Sequence, residues 1–103
     1  MKTALKHLII DGDMSATIIS ETIETDQLYM GSFQASRSGT ATGSYDIEAS
    51  NDGINFVQVS SVALASNHQM ITLTEIPYKY IRFVFTFATN TGTLNVYQYA
   101  KGV

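Results

Sequence analysis

The chain is predicted to be all-β, an antiparallel β-sandwich or jelly roll of about eight short strands, and three features of the sequence lead there. Residue types that favour strands dominate, with 10 Ser, 12 Thr, 6 Tyr and 5 Phe, and no long Ala/Leu/Glu/Lys tract is present. Apolar and polar residues alternate with a period of two over several segments. Clusters of Gly, Asn, Asp, Ser and Thr punctuate those segments without a helical interval between them.

Taken in order, residues 6–10 form a first strand, and Asp11-Gly12-Asp13 reads as a turn into a β-branched strand within residues 15–20. Residues 27–36 place Tyr29, Phe33 and Ala35 on one parity. The small polar residues 38–43 after them suggest an exposed connection, so this region is expected to be a hairpin. The alternation is clearest over residues 44–50, with Tyr45, Ile47 and Ala49 on the buried face and Ser44, Asp46, Glu48 and Ser50 facing water. Asn51-Asp52-Gly53 then closes a tight hairpin to residues 54–60, because Asx residues and glycine tolerate positive φ. Residues 62–67 read as a loop or a short helical turn, and residues 69–74 as another strand.

After Pro77, Ile81, Phe83, Phe85 and Phe87 share one face, while Tyr80, Arg82, Val84 and Thr86 share the other. This is expected to be the central strand, its phenylalanines facing inward, with Phe85→Ala costing about 3 to 5 kcal/mol. Residues 89–92 are a turn by composition. Beyond it Leu94, Val96 and Gln98 alternate with Asn95, Tyr97 and Tyr99, so the last two strands are expected to form a second hairpin.

The 103 residues suit one domain, 1–103, in which residues 1–13 serve either as an N-terminal arm or as the first strand. Without cysteine there is no thiol nucleophile, disulfide framework or zinc ribbon, and either redox compartment is open. A net charge of −3 with no Lys/Arg run argues against a nucleic-acid partner. No apolar run approaches the roughly 20 residues that cross a bilayer. Lys2 and Lys6 are followed too soon by Asp11 and Asp13 for a secretory leader, so a chain mature as written is expected.

Chemistry finds little foothold. His7 and His68 have no second ligand at metal spacing and read as edge and solvated residues, so no metal is expected. Asp46 and Glu48, about 7 Å apart on one strand, match a glycosidase spacing. Alternation turns both to solvent, however, where neither carboxyl is raised for acid catalysis. Asp11-Gly12-Asp13 lacks the remaining ligands of a calcium loop, and residues 39–43 lack the lysine of a phosphate loop. Arg82 is expected either to pair with Glu48 or Asp46 across strands or to reach a partner. With no paired nucleophile and base, no catalytic residue, no cofactor and no enzymatic activity are expected.

The string Gly43-Ser44-Tyr45-Asp46-Ile47-Glu48-Ala49-Ser50-Asn51-Asp52-Gly53-Ile54-Asn55-Phe56, with Pro77-Tyr78-Lys79-Tyr80-Ile81-Arg82-Phe83 downstream, resembles the strand pairs of discoidin-like jelly-roll domains. From Leu28 to Gly102, with Thr91-Gly92-Thr93-Leu94 and the terminal Lys101-Gly102, the chain is also similar to small structural proteins of bacteriophages. That resemblance implies a non-enzymatic virion component, a capsid decoration, cement or vertex-associated protein. It would be made in the host bacterial cytoplasm and located on the virion. Its partners would be the major capsid protein or other virion proteins, and it would form a homo-oligomer.

The candidate interface residues are Leu5, Lys6, Leu8 and Ile9, an apolar stripe with positive charge near the N-terminus, and Tyr78, Tyr80, Tyr97 and Tyr99 off the core face. Tyrosines on neighbouring strands also suit sugar stacking, so a carbohydrate-binding, lectin-like adhesion module with a glycan partner is the alternative function. The chain lacks the cysteine bridge and long ligand loops of discoidin lectins, and no binding residue is carried over from them.

Overall fold

The computed structural model describes the backbone of residues 4–25 and 28–102, and the side chains of 9–25 and 30–100 within them. Nine strands run through it: β1 (Ala4–Asp13), β2 (Ile18–Ile19), β3 (Ile23–Glu24), β4 (Leu28–Gly39), β5 (Thr42–Ser50), β6 (Val57–Ala63), β7 (His68–Leu73), β8 (Tyr80–Thr89) and β9 (Gly92–Gly102). The first sheet has the order β1-β9-β4-β7. The second has the order β2-β8-β5-β6, with β3 also on β8. Every pairing is antiparallel. If β2 and β3 are taken as halves of one interrupted strand, this is the eight-strand order of a jelly roll, two Greek keys folded into a sandwich.

The jelly roll overturns two expected hairpins. β4 and β5 belong to different sheets, as do β8 and β9, so both connections are arches that cross the sandwich. Only the β5–β6 connection is a hairpin, and it is not the tight one expected: its loop spans residues 51–56, so the strand starts at Val57 and not at Ile54. An arch and a hairpin place the same demand on the backbone at their tips, which is why turn residues did not tell them apart. Gly39 has φ +89°, and a Cβ there would stand 2.5 Å from the Thr91 carbonyl oxygen. Asn90, in the other arch, has φ 69°. These two crossings meet side by side, with Gly39 opposite Gly92 and Thr40 N donating to Thr91 O at 3.0 Å.

β8 is the central strand, as its sequence predicts, flanked by β5 on one side and by β2 and β3 on the other. Ile81, Phe83 and Phe85 point inward and are buried with Tyr45, Ile47, Ala49, Phe33, Ala35, Leu94 and Val96. The Phe83 ring lies 5.4 Å from Phe33 in the first sheet and 5.5 Å from Tyr45 in its own, joining the two layers. Phe87 departs from expectation: it is 36% exposed at the end of the sandwich. Its register partner is Gly43, which offers no side chain to cover that flank. Burial pushes the Tyr45 phenol above its ordinary value, opposed by the Arg37 charge.

The outward face of β5 also departs from simple alternation. Asp46 and Ser50 are buried, not solvated. The Asp46 carboxylate accepts hydroxyl hydrogen bonds from Ser61 (2.6 Å), Thr86 (2.6 Å) and Ser44 (3.3 Å), which cover it and tie β5 to both neighbours. Arg82 pairs with Glu48, not Asp46, at 2.7 Å, and its guanidinium lies 3.9 Å over the Phe56 ring.

At the N-terminus, residues 4–13 take the strand alternative over the free arm: they pair along β9, with one irregularity between Leu8 and Ile10. Asp11-Gly12-Asp13 accordingly closes β1 and is no turn between strands; the turn follows it, with Asp13 Oδ1 accepting Ser15 N at 2.9 Å. Residues 64–67, read as a loop or helical turn, are a loop, and His68 opens β7 instead of lying in that loop. His68 remains exposed, its Nδ1 3.0 Å from Ser36 Oγ.

Candidate interaction surface

β9 is a strict two-faced strand. Leu94, Val96, Gln98 and Ala100 are buried against the second sheet, so Tyr97 and Tyr99 must stand on the outer face of the first. Strand register then extends each tyrosine into a row. Tyr97 lies opposite Gln34, and Gln34 opposite Met70; Tyr99 lies opposite Ser32, and Ser32 opposite Thr72. On the β1 side the same rows reach the positions of Leu8 and Lys6.

The result is a shallow polar-apolar face with Met70 59%, Tyr99 44% and Tyr97 38% exposed. Two depressions mark it. One of about 150 Å³ is lined by Met30, Gly31, Ser32, Thr72 and Tyr99, the other of about 260 Å³ by Ser32, Gln34, Met70, Tyr97, Gln98 and Tyr99. None of these residues carries a charge. Tyr and Met are enriched and Lys, Glu and Asp depleted where proteins meet, since an aromatic ring with a hydroxyl tip is buried cheaply and an unpaired charge is not.

The eight residues singled out from sequence do not converge on this face. Tyr97 and Tyr99 form it. Tyr80 lies on β8 in the other sheet, with Lys79 Nζ 5.7 Å from its ring centroid. Tyr78 packs against the core from the segment before β8. The four tyrosines are therefore no single platform, because β8 and β9 are not neighbours. Ile9 is half-buried and packs against the core. The side chains of Leu5, Lys6 and Leu8 lie outside the described residues. Met70 was missed, although its parity, opposite to that of the buried Ile71, was the available signal.

A second concave region lies at the end of the sandwich, a cleft of about 480 Å³ lined by Ala49, Ser50, Asn51, Asp52, Asn55, Val57, Val59 and Tyr78. Its rim is braced by Asp52. The carboxylate accepts the backbone N–H of Ile54 (2.8 Å) and Asn55 (2.9 Å), the Ser50 hydroxyl (2.8 Å) and the Asn55 side-chain amide (3.0 Å). Asn51 Oδ1 accepts Lys79 N at 3.1 Å and ties the loop to the segment carrying Tyr78.

Those donors, the backbone amides foremost, hold the Asp52 carboxyl below the ordinary carboxylate range. A depressed folded-state pKa means the unfolded chain takes up this proton first as pH falls. The loop's stabilisation is thus complete above the unfolded value of about 3.9 and declines below it, toward the depressed value. The amide resonances of Ile54 and Asn55 are expected to stay fixed from neutral pH down through about 4, and to shift at neutral pH in Asp52→Ala. Amide shifts that titrate with a midpoint at the ordinary carboxylate value would contradict this.

Neither a family model nor a curated protein matches the chain. Among solved structures it is similar to the crystal structure of the SPBc2 prophage-derived protein YomS, with a TM-score of 0.73 at 10% identity, covering 99% of this chain and 96% of that one. At that identity the likeness establishes the shared fold.

Proposed function

We propose that the chain is a structural protein of a bacteriophage particle, a capsid decoration, cement or vertex-associated protein. It binds the major capsid protein or another virion protein and copies of itself. The observation that carries this reading is the face around Tyr97, Tyr99 and Met70, whose depressions no charged residue lines, with both tyrosines held out from the core by the sheet. The shared fold with a prophage-derived protein supports a phage setting. So does the resemblance of residues 28–102 to small phage structural proteins. In this reading the protein is made in the bacterial cytoplasm and acts on the virion without cofactor, catalysis, nucleic acid or membrane. Quantitative mass spectrometry of purified particles tests it: many copies per particle are expected, and particles that lack the chain would refute it.

A carbohydrate-binding adhesion module is the second reading, favoured by the cleft in which Tyr78 meets Ser50, Asn51, Asp52 and Asn55. Sugar sites combine an aromatic ring with fixed amide and carboxylate groups in this way. It predicts a glycan-array signal that Tyr78→Ala abolishes while Tyr97→Ala leaves it intact. A flat array would remove the reading.

A further inference from the structure

Every open sheet has two edges, and each edge strand presents backbone groups without a partner, which proteins ordinarily guard with charge, bulges or short strands. Three of the four edges here are guarded. β1 carries Lys6, Asp11 and Asp13 in sequence, with an irregularity after Leu8. The β2/β3 edge consists of two pairs of residues separated by a break, with Glu21 and Glu24 along it. β6 is interrupted by a bulge where Ile47 and Glu48 face Ser60 and Gln58.

β7 has none of these devices. Its six residues, His68–Leu73, pair with β4 from Gly31 to Ser36 without a register break, and none is Asp, Glu, Lys or Arg. The uncharged stretch extends well beyond it: residues 53–74 contain no Asp, Glu, Lys or Arg. Because β6 and β7 are consecutive edges of opposite sheets, both edge strands on that flank of the sandwich lack formal charge.

We propose that two copies of this chain pair antiparallel along β7, across a two-fold axis, so that their first sheets run on as one. A second copy suits this edge because residues at the centre of a two-fold pairing lie near their own images, so a charge there would meet a like charge, and each copy already carries a net −3. The flank whose edge strands are free of charge is therefore where identical chains approach at least cost.

Pairing that keeps the outer faces on one side matches exposed parity with exposed parity. Met70 then lies opposite Met70 of the second copy, or opposite its Thr72. In either register the exposed row of His68, Met70 and Thr72 continues into its image, and the Tyr97–Tyr99–Met70 faces of both copies become one surface.

This inference rests on the self-association in the proposed function and specifies its geometry. The test is the molar mass of the full chain by light scattering, for wild type, Met70→Lys, Met70→Glu and an equimolar mixture of the two variants. The wild type is expected to be a dimer. Each single variant is expected to dissociate at least about ten-fold more readily, because like charges then stand roughly 5 Å apart where Met70 faces Met70 and roughly 7 to 8 Å apart where it faces Thr72. The mixture is expected to recover the dimer.

Thr72→Lys serves as a second variant, with unchanged circular dichroism and melting as the folding control. A monomeric wild type, or a dimer indifferent to all three substitutions, overturns the pairing. The content of the wild-type chain on purified particles separates the two readings. A monomer present on particles defeats the edge pairing alone, while a dimer responding as described but absent from particles defeats the virion reading alone.

Discussion

Replacing Phe83 or Phe85 with Ala is expected to lower the unfolding free energy by about 3 to 5 kcal/mol, whereas Phe87→Ala is expected to cost only about 1 kcal/mol. All three residues share one parity of one strand, so pattern alone treats them alike. Packing separates them. Phe83 and Phe85 have no exposed surface, and Phe83 touches aromatic rings in both layers, so truncation opens a cavity that a rigid two-sheet core cannot collapse to fill. Phe87 is already in contact with water at the rim beside Gly43, and water enters the space its ring leaves. Denaturant titrations with unchanged slope would measure the three losses. Equal losses would show that the core extends past Phe85 and that the rim position is wrong.

The double substitution Tyr97→Ser with Tyr99→Ser addresses function. Both side chains point out of the first sheet, and neither accounts for core burial, so folding stability is expected to change by at most about 1 kcal/mol, the scale of their cross-strand contacts with Gln34 and Ser32. Binding to purified phage particles is expected to fall at least about 30-fold, the loss when an aromatic anchor of about 2 kcal/mol or more is removed from the centre of an interface. Co-sedimentation of labelled protein with particles reads this directly. A folded double variant that still binds with wild-type affinity would move the contact surface elsewhere, with the end cleft the next region to test.

Local sequence sufficed for the β class, the central position of β8, the inward set Tyr45, Ile47, Ala49, Phe83 and Phe85, and the outward pair Tyr97 and Tyr99. The inward and outward sets follow from side-chain parity along one strand, a property of consecutive residues, and the central position of β8 from the phenylalanines concentrated in it. The Arg82–Glu48 pair was also legible, since both residues are long, oppositely charged and on outward parity. Met70 belonged to the same legible class, and its exposure follows from Ile71 being buried.

What strand each segment meets was not legible. Gly39 and Asn90 announce sharp reversals, but a reversal closes a hairpin or crosses to the other sheet with the same backbone angles. The choice rests on contacts between residues far apart in sequence, such as β4 with β9 and β1 with β9. The burial of Asp46 is of the same kind: three hydroxyls from β5, β6 and β8 surround a carboxylate that pattern assigns to water. Splitting the tyrosines between two sheets, and leaving β7 as an unguarded edge, likewise follow from strand order. A chain's parity is written one residue at a time, whereas its neighbours across the sheet are chosen only when the whole sandwich closes.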